Sequence, residues 1–200
     1  MDVSPSAGQY PQLRAYLSQL VAFSEAEWAE LAAAVSCHSL RKGDALLGAS
    51  AVSQHLAFIT RGALRTFYNH EGNDVTFYFF FENSFATDYE SFLTRQGSRF
   101  SIEAIEDSEV LLLGYADVQR LFATLTEGQR LARQIAEQLY VALRQRAVSL
   151  LLDTPEQRYR QLLDSHSPIL QRVNQYYIAT YLGVQPQSLS RIRKRITQAN

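Results

Sequence analysis

Apolar positions along the chain change their spacing three times, and each change marks a different kind of structure. Residues 9–39 read as helical: Ser24 with Glu27 makes a capping box, and Trp28, Leu31, Ala32 and Val35 follow at helical spacing. From 40 to 115 short apolar or aromatic runs alternate with Gly, Asn, Asp and Ser. These runs are Ala45–Leu47, Leu56–Ile59, Ala63–Tyr68, Val75–Phe81, Phe100–Ile105 and Val110–Leu113. His70-Glu71-Gly72-Asn73 carries a hairpin-turn signal. Many short strands at near-regular spacing predict a compact antiparallel barrel or roll. A short helix is expected at Asp117–Phe122. Thr126 and Gln129 then form the signature of another capping box, and Leu131, Ile135, Leu139, Ala142 and Leu150 lie on one stripe of a helix over 127–152. At about 26 residues that helix is roughly 39 Å long. Such a stripe is expected to pair with a second copy of the chain, the alternative being a helix laid lengthwise on its own barrel.

Thr154-Pro155-Glu156-Gln157 is a helix start, with Thr as cap, Pro in the first turn and Gln closing the box. Residues 178–196 then carry two inner faces. Ile178, Ala179 and Leu182 form the first, Gly183 permits a tight turn, and Val184 is expected to be buried in it. Gln185 caps the next helix, Pro186 occupies its first position, and Leu189, Ile192 and Ile196 form its inner face. The outer face holds Gln187, Ser188, Arg191, Lys194 and Arg195. This is the pattern of a helix-turn-helix whose second helix enters the major groove. Arg191 suits bidentate contact with guanine and Gln187 pairing with adenine; Ser188, Lys194 and Arg195 suit phosphates. The plainer alternative, an αα-hairpin with a polar face, does not require the glycine, the proline and the basic face to coincide.

Composition sharpens this picture. The chain has 200 residues, of which 46 % are hydrophobic and 20 % charged, which argues against global disorder. No apolar run reaches 18 residues, and the first residues lack the basic and apolar regions of a secretory leader. One cysteine, Cys37, excludes a disulfide framework, a cysteine-ligated iron–sulfur cluster and a cysteine-based zinc site, and fits a reducing cytoplasm. Formal net charge is −1, but it is divided. Residues 1–152 hold 12 Lys and Arg against 17 Asp and Glu; residues 153–200 hold 7 against 3. An anionic partner at the C-terminal end is one reading of that asymmetry, and a solvated basic helix end is the other. His38, His55, His70 and His166 are scattered without metal-ligand spacing, and no metal site is expected. No nucleophile–base pair, phosphate loop or G-x-S-x-G occurs, so an enzyme is not expected.

Several segments together resemble the Crp/Fnr superfamily of bacterial transcription regulators. LRKGDALLGASAVSQHLAFITRGALRTFY (40–68) is similar to the opening of that family's cyclic-nucleotide-binding roll. FENSFATDYESFL (81–93) and FSIEAIEDSEVLLL (100–113) resemble its later strands, 127–152 its dimerisation helix and IATYLGVQPQSLSRIRKRI (178–196) its recognition module. FENSF…DYESFL and YLGVQPQSLSRIRK are typical of a Bacteroidetes-type branch. The resemblance implies an α+β fold: an antiparallel β-roll with flanking helices over 1–126, a dimerisation helix over 127–152 and a helix-turn-helix domain over 153–200 with little or no wing. It implies a dimeric cytoplasmic regulator that binds double-stranded DNA and itself, with RNA polymerase and a small-molecule effector as further partners. The dimer interface is expected at Leu131, Ile135, Leu139 and Ala142, and the DNA contacts at Gln185, Gln187, Ser188, Arg191, Lys194 and Arg195. The alternative is a ligand-binding or protein-interaction module with non-specific or no DNA binding.

The effector pocket departs from the family pattern. Nucleotide-binding members carry a Gly-Glu pair and, about ten residues on, an Arg. Here those positions hold Thr87, Asp88 and Ser98, with Arg99 one place late. A shift of one residue on a strand turns a side chain to the opposite face. Loss of one charged phosphate partner costs about 1.5–3 kcal/mol, or roughly ten- to a hundredfold in affinity. Cyclic AMP is therefore not expected as the effector, and no cofactor is required. Phe77, Tyr78, Phe79, Phe80, Phe81, Tyr89 and Phe92 are expected to be mostly barrel core, with a more apolar ligand as the alternative.

Overall fold

The structure, a computed structural model, describes residues 9–199. The chain begins with α1 (Pro11–Ser18) and α2 (Glu25–Ala33), continues through β1 (Val35–Leu40), β2 (Ala45–Leu47), β3 (His55–Arg61), β4 (Leu64–His70), β5 (Asn73–Phe80) and β6 (Phe85–Ala86), and reaches α3 (Tyr89–Thr94). Then come β7 (Ser101–Ala104), β8 (Ser108–Gly114), α4 (Tyr115–Thr124) and the long α5 (Gly128–Leu152). Helices α6 (Pro155–Asp164), α7 (Ile169–Arg172), α8 (Gln175–Leu182) and α9 (Pro186–Ala199) complete it. Residues 35–39, expected as helix, are strand: the helix stops at Ala34, and Val35 pairs with Leu113 in β8. Tertiary pairing overrides the local pattern there. Likewise 81–93, expected as strand, contains α3, which begins where the Asp88 side chain accepts the Ser91 N–H.

The chain forms two compact units. The first holds the described residues up to Leu64 together with Phe80–Tyr140; the second holds Arg65–Phe79 and the residues from Val141 on. The segment containing most of β4 and β5 groups with the C-terminal helices.

The first unit is organised around an antiparallel sheet of order β1-β8-β3-β6. Alternation along β3 sends Leu56 and Phe58 into one core, with Leu13, Leu17, Trp28, Leu31, Phe92, Leu111 and Leu131. It sends Ala57 and Ile59 into a second core, with Leu40, Leu47, Leu64, Ile102 and Val110. The sheet is thus buried on both faces, which is why β3 reads as a continuous apolar run. Glu27 joins α2 to the segment before α5. Its carboxylate accepts the N–H groups of Ser24 and Thr126, each at 2.9 Å, and these bonds hold its pKa down to about 2. The expected Thr126–Gln129 capping box does not form, since Glu27 takes the Thr126 N–H and the Gln129 amide donates to the Phe122 carbonyl.

Gly62 sits where two backbones meet. Its φ is +100°, and a Cβ there would lie 2.2 Å from Ser108 Oγ and 2.6 Å from Ser108 Cα. Its N–H donates to Glu82 at 2.7 Å. Only glycine meets both constraints. Gly62→Ala is expected to lower stability by about 2–4 kcal/mol, combining a left-handed backbone with overpacking. Gly48→Ala, where a Cβ meets nothing within 4 Å, is the neutral control. Urea unfolding of the two variants checks this.

Candidate functional site

In the second unit α6 starts as the sequence implies. Thr154 accepts the Gln157 N–H, Gln157 returns a bond to Thr154, and Pro155 occupies the first turn. Asn174 caps α8 by accepting the Tyr176 N–H at 2.8 Å. Gly183 ends α8 at φ +73°, and Val184 N–H closes back on the Ala179 carbonyl at 2.9 Å, the bond of a Schellman end. Val184 itself is half-buried rather than buried. The Gln185 carbonyl then accepts the Ser188 and Leu189 N–H groups and starts α9. Ile178, Ala179, Leu182, Leu189, Ile192 and Ile196 are all buried. The two helices are therefore fixed through their inner faces by a turn that requires a left-handed residue.

That packing leaves Gln185, Gln187, Arg191, Lys194 and Arg195 exposed and Ser188 half-buried. Arg195 has a partner, Glu156 in α6, at 2.8 Å, and Glu156 also pairs with Arg160 at 3.2 Å. Of the seven cations counted after residue 152, Arg158 is buried and belongs to the unit's interior. Its guanidinium donates to the carbonyls of Ser149, Asp153 and Leu182. Arg191, Arg193 and Lys194 are exposed along α9. Four of the seven, Arg191, Arg193, Lys194 and Arg195, lie on α9, while Arg160 is exposed on α6 and Arg172 on α7.

The apolar stripe on α5 divides differently from expectation. Leu131 is 3 % exposed in the first unit's core, with Ile135 packed against it, and Leu139 and Ala142 are half-buried. Leu131 and Ile135 therefore pack on this chain's own core. The other face of α5 carries the open apolar surface: Tyr140, Val141, Val148, Leu151 and Leu152 are exposed, Leu151 at 81 %. The sequence contained both stripes, but spacing alone does not say which one its own barrel takes.

In the pocket region Asp88 and Ser98 meet each other. Asp88 is buried, caps α3, and accepts the Ser98 hydroxyl at 2.5 Å. Thr87 is half-buried, 3.0 Å from Ser53 Oγ, and donates to the His55 carbonyl. Arg99 is exposed, whereas Arg95, singled out by nothing in the sequence pattern, donates to the Ser53 carbonyl and lies over the Tyr115 ring. Phe92 is buried and stacked beside Tyr89 at 6.2 Å between ring centres. A carboxylate and a hydroxyl already bonded to each other offer a cyclic phosphate no cation. Among the described residues no group of three His, Cys, Asp or Glu side chains is placed to hold a metal, and no helix is long and apolar enough to cross a membrane.

Residues 37–125 match the family model described as cyclic nucleotide-binding domain. No curated protein matches the sequence. Among solved structures the chain resembles FixK2 from Bradyrhizobium japonicum, with a TM-score of 0.68 and 17 % identity over 82 % of this chain and 85 % of that one. It resembles CLP, a c-di-GMP responsive global regulator of Xanthomonas campestris, with a TM-score of 0.65 and 13 % identity over 88 % and 93 %. Against the Thermus thermophilus catabolite activator protein the TM-score is 0.57, with 21 % identity over 92 % and 87 %. At these identities the likeness establishes the fold: a cyclic-nucleotide-binding-type roll with helices, shared with proteins described as regulators.

Titration calorimetry with cyclic AMP is expected to give no heat of binding up to high micromolar concentration. Asp88→Glu with Ser98→Arg, which keeps a carboxylate at the first position and supplies the missing cation at the second, is expected to raise affinity at least tenfold, in proportion to one restored charged hydrogen bond of about 1.5–3 kcal/mol.

Proposed function

We propose that the chain is a dimeric, sequence-specific DNA-binding transcription regulator of the Crp/Fnr type, with an altered effector pocket and no enzymatic role. In this reading α8, the turn at Gly183 and α9 form a helix-turn-helix, and α9 lies in the major groove. The observation that carries it is the two-sidedness of α9: Leu189, Ile192 and Ile196 are buried while Gln187, Arg191 and Lys194 stand exposed. Arg191 and Gln187 are four residues apart and share a face near the start of the helix, where base edges are read. Lys194, one turn on, meets backbone phosphate. Arg195 reaches phosphate only by giving up its bond to Glu156. RNA polymerase and an effector other than cyclic AMP are the further partners this reading implies, in a cytoplasmic setting.

The second copy docks on the outward face of α5. Tyr140, Val141, Val148, Leu151 and Leu152 form an exposed apolar strip along one side of a helix whose opposite side is already taken. A strip of this kind on a long helix matches another helix of the same sequence. Val148→Glu with Leu151→Glu is expected to give folded monomers in sedimentation, while Leu131→Glu is expected to unfold the first unit instead. A dimer that survives the first pair would place the interface elsewhere.

For DNA, Arg191→Ala is expected to cost about 1–3 kcal/mol per subunit and to relax specificity at one base pair of each half-site. Lys194→Ala is expected to weaken all sequences about equally and to lower the salt slope by about one per lost contact. Selection from random duplexes should return a near-palindrome with half-sites about one helical turn apart. Binding without a symmetric site, or without salt dependence, would favour a protein-interaction module.

A further inference from the structure

The second unit contains a buried cation that the DNA-reading face does not use. Arg65 begins the β4–β5 segment of this unit, and its side chain is 2 % exposed. The guanidinium lies between two aromatic rings, 3.9 Å from the centre of Phe67 and 3.8 Å from that of Tyr177 in α8. Its edge donates to Asp74 at 2.5 Å and to Thr76 at 3.3 Å. Thr76 continues the chain of contacts, since the Thr180 hydroxyl of α8 donates to it at 2.9 Å. Phe79 then meets Tyr181 at 5.3 Å between ring centres. The hairpin therefore touches α8 at three positions, Tyr177, Thr180 and Tyr181, one helical turn along one side. The turn that closes the hairpin has positive φ at Glu71 and Gly72, the two-residue form that fixes strand register, and that register puts Arg65, Phe67, Asp74 and Thr76 on one face of the hairpin.

We propose that the β4–β5 hairpin is the positioning element of the DNA-reading module and that Arg65 is its positioning residue. This rests on the DNA-binding reading of α8 and α9. The exposed residues of α9 carry the contacts to DNA; α8 carries none of them, but the turn at Gly183 makes α9 follow α8. Arg65 sets α8 by stacking on Tyr177 while its charge is neutralised by Asp74, all inside one compact unit. A flat, five-donor cation can do both at once; a lysine ammonium can satisfy Asp74 but cannot fill the slot between two rings. The hairpin's role is also distinct from the roll's ligand chemistry, because it uses no residue of the Asp88–Ser98 region.

The test uses the full chain with Arg65→Met, Arg65→Lys and Thr180→Val, the last being a milder break should the first not fold. Hydrogen exchange on the free protein is read for α8, and affinity for a selected duplex is read over a range of salt. The expected result is faster exchange in α8 for Arg65→Met and an affinity loss of about tenfold with an unchanged salt slope. Arg65→Lys should recover only part of this, and Thr180→Val should show the same pattern at smaller size. Unchanged α8 exchange overturns the proposal, and so does a salt slope reduced by about one, which would make Arg65 a phosphate contact. If the wild-type chain binds no duplex, the DNA reading falls on that result alone, while α8 exchange still decides whether Arg65 positions the helix.

Discussion

Three buried arginines hold α8, and the placement of α9 depends on them. A guanidinium removed from water is tolerated only where rings, carbonyls or carboxylates replace the water. Arg65 uses two rings and Asp74. Arg146 in α5 donates to the Tyr181 carbonyl and lies 3.7 Å from the centre of the Tyr181 ring. Arg158 in α6 donates to the Leu182 carbonyl. The last two meet α8 at its C-terminal end, where unpaired carbonyls and the negative end of the helix dipole favour a cation. Burial lowers the pKa of Arg146, Tyr181 opposes that shift, and Arg158 adds to it. Strand, long helix and short helix thus converge on the helix that precedes the turn at Gly183.

The long helix α5 shows a comparable division of faces. In the first unit Leu131 and Ile135 pack into the core; in the second unit Arg146 is buried. Val141, Val148, Leu151 and Leu152 of the second unit are exposed along the same helix. A helix with only one apolar side would satisfy its own chain and stop there. In the dimer proposed above, the second side is where another copy docks, and two copies give a palindromic operator its symmetry.

Local chemistry was legible in the sequence wherever a few neighbouring residues settle the geometry. Ser24 with Glu27, Thr154 with Gln157, the Glu71-Gly72 turn and the Gly183 turn all occur at the residues that signal them. Long-range choices were not legible. Thr126 and Gln129 have the right spacing for a box, but Glu27, 99 residues away, takes the amide. Arg158 looks like one more basic residue until three carbonyls converge on it, and residues 35–39 look helical until β8 pairs with them. That Ser98 stands where an arginine is usual was legible as a departure; that Asp88 and Ser98 would bond to each other was not. Spacing records which residues are able to act; burial and competition among partners decide which do.

The central claim is that the outward face of α9 is the surface that meets DNA. Hydrogen exchange of the full chain, with and without a duplex enriched from a random pool, tests it directly. The expected result is slowed exchange concentrated in α8 and α9, strongest at the first turns of α9, with the β1-β8-β3-β6 sheet unchanged. Slowed exchange in that sheet, with α9 unaffected, would contradict it and move the binding surface to the roll.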